Sequence, residues 1–357
     1  MKKVVRFIAV FLLFGTASLP VQAAFTSLYI FGDGLSTTTN NPSTGPYYYG
    51  QRYCNGRVWV EVLAQRQGLT YNSNQNWSYF GNTSTSMVAT VSSLQAPTDA
   101  SNALFVIWVN NADLFYPALN NGTSMSAWTN AINVSLTNHF KAITNLYAKG
   151  ASTLIMPNAV DLSTIPEFNT SLNTNFIHQM CTNYNVAFAA TLDRARTNCP
   201  GLTIYTPDFF TLLTNILAYP ASYNVTNALY NGHSVDVIDA PSLSDKTTNG
   251  PGTNYIFWDG HDPTAMVHAW MANLAQQLIS PAQIGDIALG DGSNELDLVN
   301  VPIGQNGIVL GSASLAQPGW QTNATFISSN ATQSVFVPPS GPLGFYRLSF
   351  PFSWTWP

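Results

Sequence analysis

Short apolar runs of strand length alternate along this chain with longer segments of helical periodicity, and that alternation restricts the fold more than any other feature. Ser27 to Phe31, Leu104 to Val109, Thr153 to Met156 and Leu202 to Tyr205 are the runs, with a weaker one at Trp77 to Phe80. Each ends in a polar turn. Val58 to Gln67, Ser126 to Lys149, Asn173 to Asn198 and Pro263 to Leu278 carry the 3.6-residue period of helices. Strands that are apolar on both faces and separated by helices predict an α/β fold, a parallel sheet covered by helices on both sides. Chemistry in such a sheet belongs at the carboxyl ends of the strands.

The pattern changes after Pro281. Helical periodicity stops, Gly307 to Leu310, Ala324 to Ser328 and Ser334 to Pro338 read as short strands between turn residues, and the chain closes with Gly344-Phe345-Tyr346-Arg347-Leu348 and an aromatic tail. Residues 282–357 are therefore expected to form a small all-β domain. Its aromatics, Trp320, Phe345, Tyr346, Phe350, Phe352, Trp354 and Trp356, admit two readings, a sugar-stacking face or the filling of a small core. At the other end, Lys2, Lys3 and Arg6 precede the apolar run Phe7 to Leu19, and Val21-Gln22-Ala23 offers a cleavage site. This has the form of a secretory signal peptide over residues 1–23, so the mature chain is expected to be secreted or periplasmic, with residues 24–281 as its main domain. No later stretch is long and apolar enough to span a bilayer.

Charge narrows the partners. The chain carries 12 basic and 17 acidic residues for a net charge of −5, which argues against a nucleic-acid ligand. Three cysteines, Cys54, Cys181 and Cys199, would enter an oxidising compartment. One disulfide, with Cys181 and Cys199 as the favoured pair, is the simplest arithmetic, and three structural thiols is the other reading. Their spacing fits no metal site. Neither a metal nor another cofactor is expected, and sequence does not define an oligomeric state.

At the end of the first strand stands Ile30-Phe31-Gly32-Asp33-Gly34-Leu35-Ser36, which resembles block I of the GDSL (SGNH) hydrolase family with glycine in place of serine. Tyr47-Tyr48-Tyr49-Gly50 through Trp59 resembles the helix entry that follows, and Phe80-Gly81-Asn82 resembles block II. Phe105 to Asp113 and Phe257-Trp258-Asp259-Gly260-His261-Asp262-Pro263-Thr264 are similar to blocks III and V. The resemblance spans about Phe25 to Ile279. It implies a three-layer, flavodoxin-like parallel sheet with helices on both faces (the SGNH hydrolase fold), and hydrolysis of esters on acylated carbohydrate or lipid.

Three side chains required by that chemistry are missing. Gly34 has no nucleophile, Ala112 replaces the block III asparagine that donates to the oxyanion, and Asp262 replaces the block V histidine. Asp259 is the retained member of the triad. His261 stands one position early, about 100° away around an opening helix. Gly81 retains the backbone N–H of an oxyanion hole, and Asn110 or Asn111 either reaches in from an altered loop or caps the strand end. Ser36 should point elsewhere, and His139, His178, His233 and His268 have no partner that sequence can name. The acidic residues Asp33, Asp113, Asp259 and Asp262 converge on the strand ends, where a pair with one raised pKa could exchange protons or bind a cation. Asp262 before Pro263 is also a plausible helix cap. Two functions follow. One is an exported ester hydrolase built on a non-standard constellation around Asp259 and His261. The other is a catalytically inactive pseudo-hydrolase that binds a small-molecule or polysaccharide ester in the old cleft, with the β domain attaching it to a polymer or surface.

Overall fold

The computed structural model describes residues 25–42, 45–290, 292–316, 318–338, 344–352 and 356–357. The signal-peptide expectation and Trp354 fall outside these residues. Four strands, β1 (Leu28–Gly32), β2 (Leu104–Trp108), β3 (Thr153–Ile155) and β4 (Thr203–Tyr205), form a parallel sheet in the order β1-β2-β3-β4. Every residue of β2 is buried, as a central strand covered on both faces requires. The segment Trp77 to Phe80 is not a strand. Asn76 makes one parallel bridge with Ile30 on the outer edge of β1, and the Trp77 N–H donates to the Ile30 carbonyl. A flavodoxin-like order puts its second strand at that edge, here reduced to a single bridge. Asn76 and Asn82 turn their side-chain amides onto the Ser36 and Gly32 carbonyls.

Seven helices complete the α/β unit: α1 (Trp59–Arg66), α2 (Ser84–Ser93), α3 (Asn110–Asn120), α4 (Met125–Ala148), α5 (Thr174–Asn198), α6 (Phe209–Ala218) and α7 (Ala265–Ile279). α1 packs on α7, while α2, α3 and α5 pack on α4. Trp59, Trp108 and Phe209 meet edge to face with ring centroids 5.0 to 5.7 Å apart, locking α1, β2 and α6 together. Asp208 caps α6 through a 2.9 Å bond from the Thr211 N–H. Asp208→Ala should therefore lower unfolding stability by about 1 kcal/mol in urea titration, with an unchanged denaturant slope.

α7 begins two residues later than Pro263, with Thr264 as its N-cap, so Asp262 is not a helix cap. The cysteine pairing is also corrected. Cys54, Cys181 and Cys199 are all free and buried. Cys181 lies within α5 and Cys199 is that helix's C-cap, so eighteen residues of continuous helix hold them about 27 Å apart, far beyond disulfide reach.

A two-residue hairpin, β5 (Leu229–Tyr230) with β6 (His233–Ser234), precedes α7. Beyond it, six antiparallel strands form two three-stranded sheets. β7 (Gln283–Leu289), β8 (Asn294–Val299) and β11 (Gln333–Val337) make one; β9 (Asn306–Ser312), β10 (Gln321–Ile327) and β12 (Phe345–Ser349) make the other. Leu296, Leu298, Val309, Val335 and Val337 form their shared core. The aromatics are mostly spent on internal contacts. Phe326 packs edge-on to Phe350, Arg347 lies over Trp320, Phe352 stacks on Trp270 of α7 at 3.8 Å, and Trp356 Nε1 donates to the Asn55 carbonyl. Packing rather than a stacking face accounts for these residues. No helix among the described residues is long and apolar enough to cross a membrane.

Candidate active site

The end of β1 sets the centre of the site. The Asp33 N–H donates to the Trp108 carbonyl, extending the β1–β2 pairing by one bond, and the chain then turns through a single 3₁₀ turn, Gly34–Ser36. Asp33 caps that turn by accepting the Leu35 N–H at 3.1 Å. A β carbon on Gly34 would stand 3.2 Å from Phe80 Cδ2 and 3.8 Å from Asp262 Oδ1. Segments far apart in sequence therefore converge on Gly34. Ser36 is fully buried and accepts from Trp59 Nε1 at 3.0 Å, so its hydroxyl points into the core.

Asp259 folds the turn after Trp258. Its Oδ1 accepts the N–H groups of His261 and Asp262 at 3.0 and 2.9 Å, and its Oδ2 accepts the Tyr48 hydroxyl at 3.0 Å. The turn aims Asp262, not His261, at Gly34. His261 stands at the mouth, its ring 4.8 Å from Phe115 and 5.9 Å from Phe80, with Nε2 3.7 Å from Glu167 Oε2. Its imidazole makes no hydrogen bond with Asp259, so the expected constellation around those two residues does not form. The donor atoms of Asp259, His261 and Asp262 lie within 4.8 Å of one another, the one such group among the described residues. Both Asp259 oxygens also accept hydrogen bonds, from three donors in all.

Block III opens α3 rather than a loop. Asn110 Nδ2 donates to the Pro157 carbonyl at 2.9 Å, and Asn111 Oδ1 accepts the Val160 N–H at 3.0 Å, so both tie α3 to the segment after β3. The Asn111 side chain and the Ala112 N–H are turned toward Asp33. Asp113 faces away from the cleft: it accepts the Ser84 N–H at 2.9 Å and neighbours His139 and Ser135 inside the α2–α4 packing. His139 binds Ser135, His178 pairs with Asp161 at 2.5 Å, and His268 is buried in α7, where desolvation lowers its pKa to about 3. None of the three reaches Gly34. Gly81 lines the cleft with φ +75°, a left-handed conformation that favours glycine.

Burial sets the charge of the floor. Desolvation pushes the Asp33 carboxyl up to about 7, opposed by the hydrogen bond from the Leu35 N–H and by the Asn111 side chain and Ala112 N–H turned toward it. Asp262 lies well above the ordinary carboxylate range, driven first by desolvation and then by the charges of Asp259 and Asp33, and its Oδ2 has no hydrogen-bond partner. A protonated carboxyl donates a hydrogen bond but cannot take a proton from a hydroxyl. Burial also raises the Cys54 thiol, so it offers no thiolate.

Above this floor opens a cavity of about 340 Å³ whose walls are mostly apolar, with Leu35, Phe80, Phe115, Leu119, Val160 and Ile165 prominent. Thr83 and Tyr116 bring hydroxyls to it, and neither is hydrogen-bonded to an imidazole or carboxylate. Sequence reasoning missed Phe80 as the group packed over Gly34, Tyr48 as the partner of Asp259, and Glu167 beside His261. Tyr48 stands in the run Tyr47-Tyr48-Tyr49-Gly50, but nothing in its spacing pointed to a contact 211 residues away.

Residues 28–275 match the family described as GDSL-like Lipase/Acylhydrolase. Among solved structures the chain is similar to an acetylxylan esterase from Geobacillus stearothermophilus, at 12% identity over 73% of this chain and 96% of that one, TM-score 0.42. It is similar to phospholipase A1 from Streptomyces albidoflavus, at 10% identity over 72% and 100%, TM-score 0.41. A carbohydrate acetylesterase from Sinorhizobium meliloti aligns at 12% identity over 70% and 98%, TM-score 0.34. No curated protein matches the chain.

Proposed function

The chain belongs to the GDSL-like lipase/acylhydrolase family, and from that premise we propose that it binds an acylated ligand in the family cleft without hydrolysing it. The carrying observation is the pairing at the nucleophile position: Gly34 faces a buried Asp262 where a hydroxyl should face an imidazole. The Asp262 carboxyl, held above the ordinary carboxylate range, can donate to an ester carbonyl in its protonated form, and Gly34 offers no hydroxyl for it to activate. The apolar walls favour an acyl chain, since each methylene buried contributes about 0.8 kcal/mol. A bare acetyl group offers little to those walls. The same proposal takes residues 1–23 as an export signal to a secreted or periplasmic destination, 24–281 as the ligand-binding unit and 282–357 as an attached β module.

Nitrophenyl octanoate, nitrophenyl acetate and acetylated xylan test the reading. The octanoate should bind saturably in a calorimetric titration, and Ile165→Asp should weaken it at least about tenfold by placing a charge in the acyl-lined wall. The acetate and the xylan should bind far more weakly. Turnover of any of the three above that of a Gly34→Trp variant, whose cleft is blocked, would overturn the non-hydrolytic reading.

A further inference from the structure

A second cavity, of about 180 Å³, adjoins the cleft along two shared segments: Ile165 and His261 line the cleft, while Glu167 and Gly260 line the second cavity. The Glu167 N–H donates to the Gly260 carbonyl at 3.1 Å and holds those segments together. Asn169 Nδ2 donates to the Ser234 carbonyl at 2.8 Å, which fixes the β5–β6 hairpin and the chain after it as the remaining wall. The chemistry of this cavity is unlike that of the cleft. Glu167, Asp236 and Asp239 bring three carboxyl groups to it, Tyr230 brings an aromatic ring, and no lysine or arginine lines it.

Asp236 is only 2% exposed. Its Oδ1 accepts the Asp239 N–H at 2.7 Å, and no hydrogen bond from another described residue reaches its Oδ2. Burial, and then the charges of Asp239 and Asp259, raises its carboxyl to about 6, which leaves it ionised at neutral pH. No lysine or arginine among the described residues pairs with Glu167, Asp236 or Asp239. Lys246, the nearest basic residue along the chain, gives its Nζ to the Ile238 carbonyl instead. A buried carboxylate without a counter-charge is costly, and a bound cation is one remedy. The spacing of the acids selects the kind of cation. Among the described residues only Asp259, His261 and Asp262 bring three ligand atoms within 4.8 Å of one another, so the three carboxyls of this cavity surround a space rather than close on a point. Spread negative charge beside an aromatic ring suits a bulky, weakly hydrated cation better than a bare metal ion, which needs its oxygens at about 2.0 to 2.6 Å.

We propose that this cavity holds the organic ammonium group of an amino-alcohol ester whose acyl chain lies in the cleft. The proposal rests on the acyl-binding reading of the cleft and adds the polar half of the ligand to it. The turn Gly260–His261 would stand between the two halves, with the ester carbonyl near Asp262 and the ammonium group near Asp236, Asp239 and Tyr230.

Thermal unfolding of the full chain in rising tetramethylammonium chloride, with ionic strength held constant by sodium chloride, tests the ammonium site without the acyl chain. A saturable rise in Tm is expected, because a ligand of the native state stabilises it by mass action. Asp239→Lys, at an exposed position, should demand at least about tenfold more tetramethylammonium for the same rise. Asp236→Asn, which keeps an oxygen for the Asp239 N–H, should weaken it in the same direction. Calorimetric titration with octanoylcholine then joins the two halves: Asp239→Lys should weaken its binding at least about tenfold and leave nitrophenyl octanoate unaffected, whereas Ile165→Asp should weaken both. No tetramethylammonium-dependent rise in the parent, an equal rise in Asp239→Lys, or a saturable rise in calcium chloride that tetramethylammonium does not match overturns the proposal. So does octanoylcholine binding that Asp239→Lys leaves unchanged. A chain that shows the tetramethylammonium rise but binds no nitrophenyl octanoate refutes the acyl-binding reading instead, and leaves the ammonium site standing.

Discussion

Combining Gly34→Ser, Ala112→Asn and Asp262→His should turn this chain into an esterase, with hydrolysis of nitrophenyl octanoate rising on the order of 10³-fold over the parent. Gly34→Ser alone should remain at the parent rate. Its hydroxyl would face the Asp262 carboxyl, whose nearest oxygen lies 3.8 Å from the new β carbon, and not an imidazole. The new serine must also displace Phe80, whose Cδ2 would be 3.2 Å away. That ring is 47% exposed and has room to yield. The imidazole placed at position 262 needs an orienting oxygen from Asp259, yet both of those oxygens are occupied, Oδ2 by the Tyr48 hydroxyl. Adding Tyr48→Phe frees Oδ2 and should raise the rate further. A triple variant that folds, binds the octanoate and shows no turnover would refute the assignment of these three positions to the family's nucleophile, oxyanion donor and base.

How much of this was legible before the structure varies with the kind of interaction. The four strands and the helices α1, α4, α5 and α7 begin and end within two residues of their periodic segments, because long amphipathic stretches and doubly buried strands leave a strong pattern. α2 left little trace: Ser84 to Ser93 is rich in serine, threonine and valine, poor helix formers, and it is held by burying Met87 and Val91 beside α4. α3 was hidden under a block read as a strand end, and Pro117 inside it spoils the usual signal. β7 was missed because it is almost wholly exposed, with no clean alternation, whereas in β8 buried Leu296 and Leu298 do alternate with Glu295 and Asp297. For the site, ordered blocks brought Gly34, Gly81, Ala112, Asp259 and Asp262 to one place, but direction depended on bonds that sequence does not display. The turn folded by Asp259 decides that Asp262 looks inward and His261 outward. Asp113, expected with the other acids, is drawn away by the Ser84 N–H and His139.

Replacing Asp33 with asparagine should remove a pH-dependent cost of folding on the order of 4 kcal/mol. In the folded chain burial lifts this carboxyl from 3.8 to about 7. A group whose folded pKa is raised gives its full contribution below the unfolded value and loses it as pH rises through the folded one. Urea titrations near pH 4 should therefore find Asp33→Asn and the parent about equally stable, with the variant pulling ahead until about pH 7 and level thereafter. Asparagine keeps an oxygen for the Leu35 N–H, so the cap of the Gly34 turn survives the change. Asp262→Asn should move the same way, since its carboxyl is raised by the same desolvation and by Asp259 and Asp33. His268 works in the opposite sense: its lowered pKa gives a contribution that is complete above about 6.5 and lost as pH falls toward 3. The parent's own curve mixes these slopes, and only the difference between variant and parent isolates the carboxyl. If that difference is flat from pH 4 to about 8, burial does not raise the Asp33 carboxyl and it is charged at neutral pH.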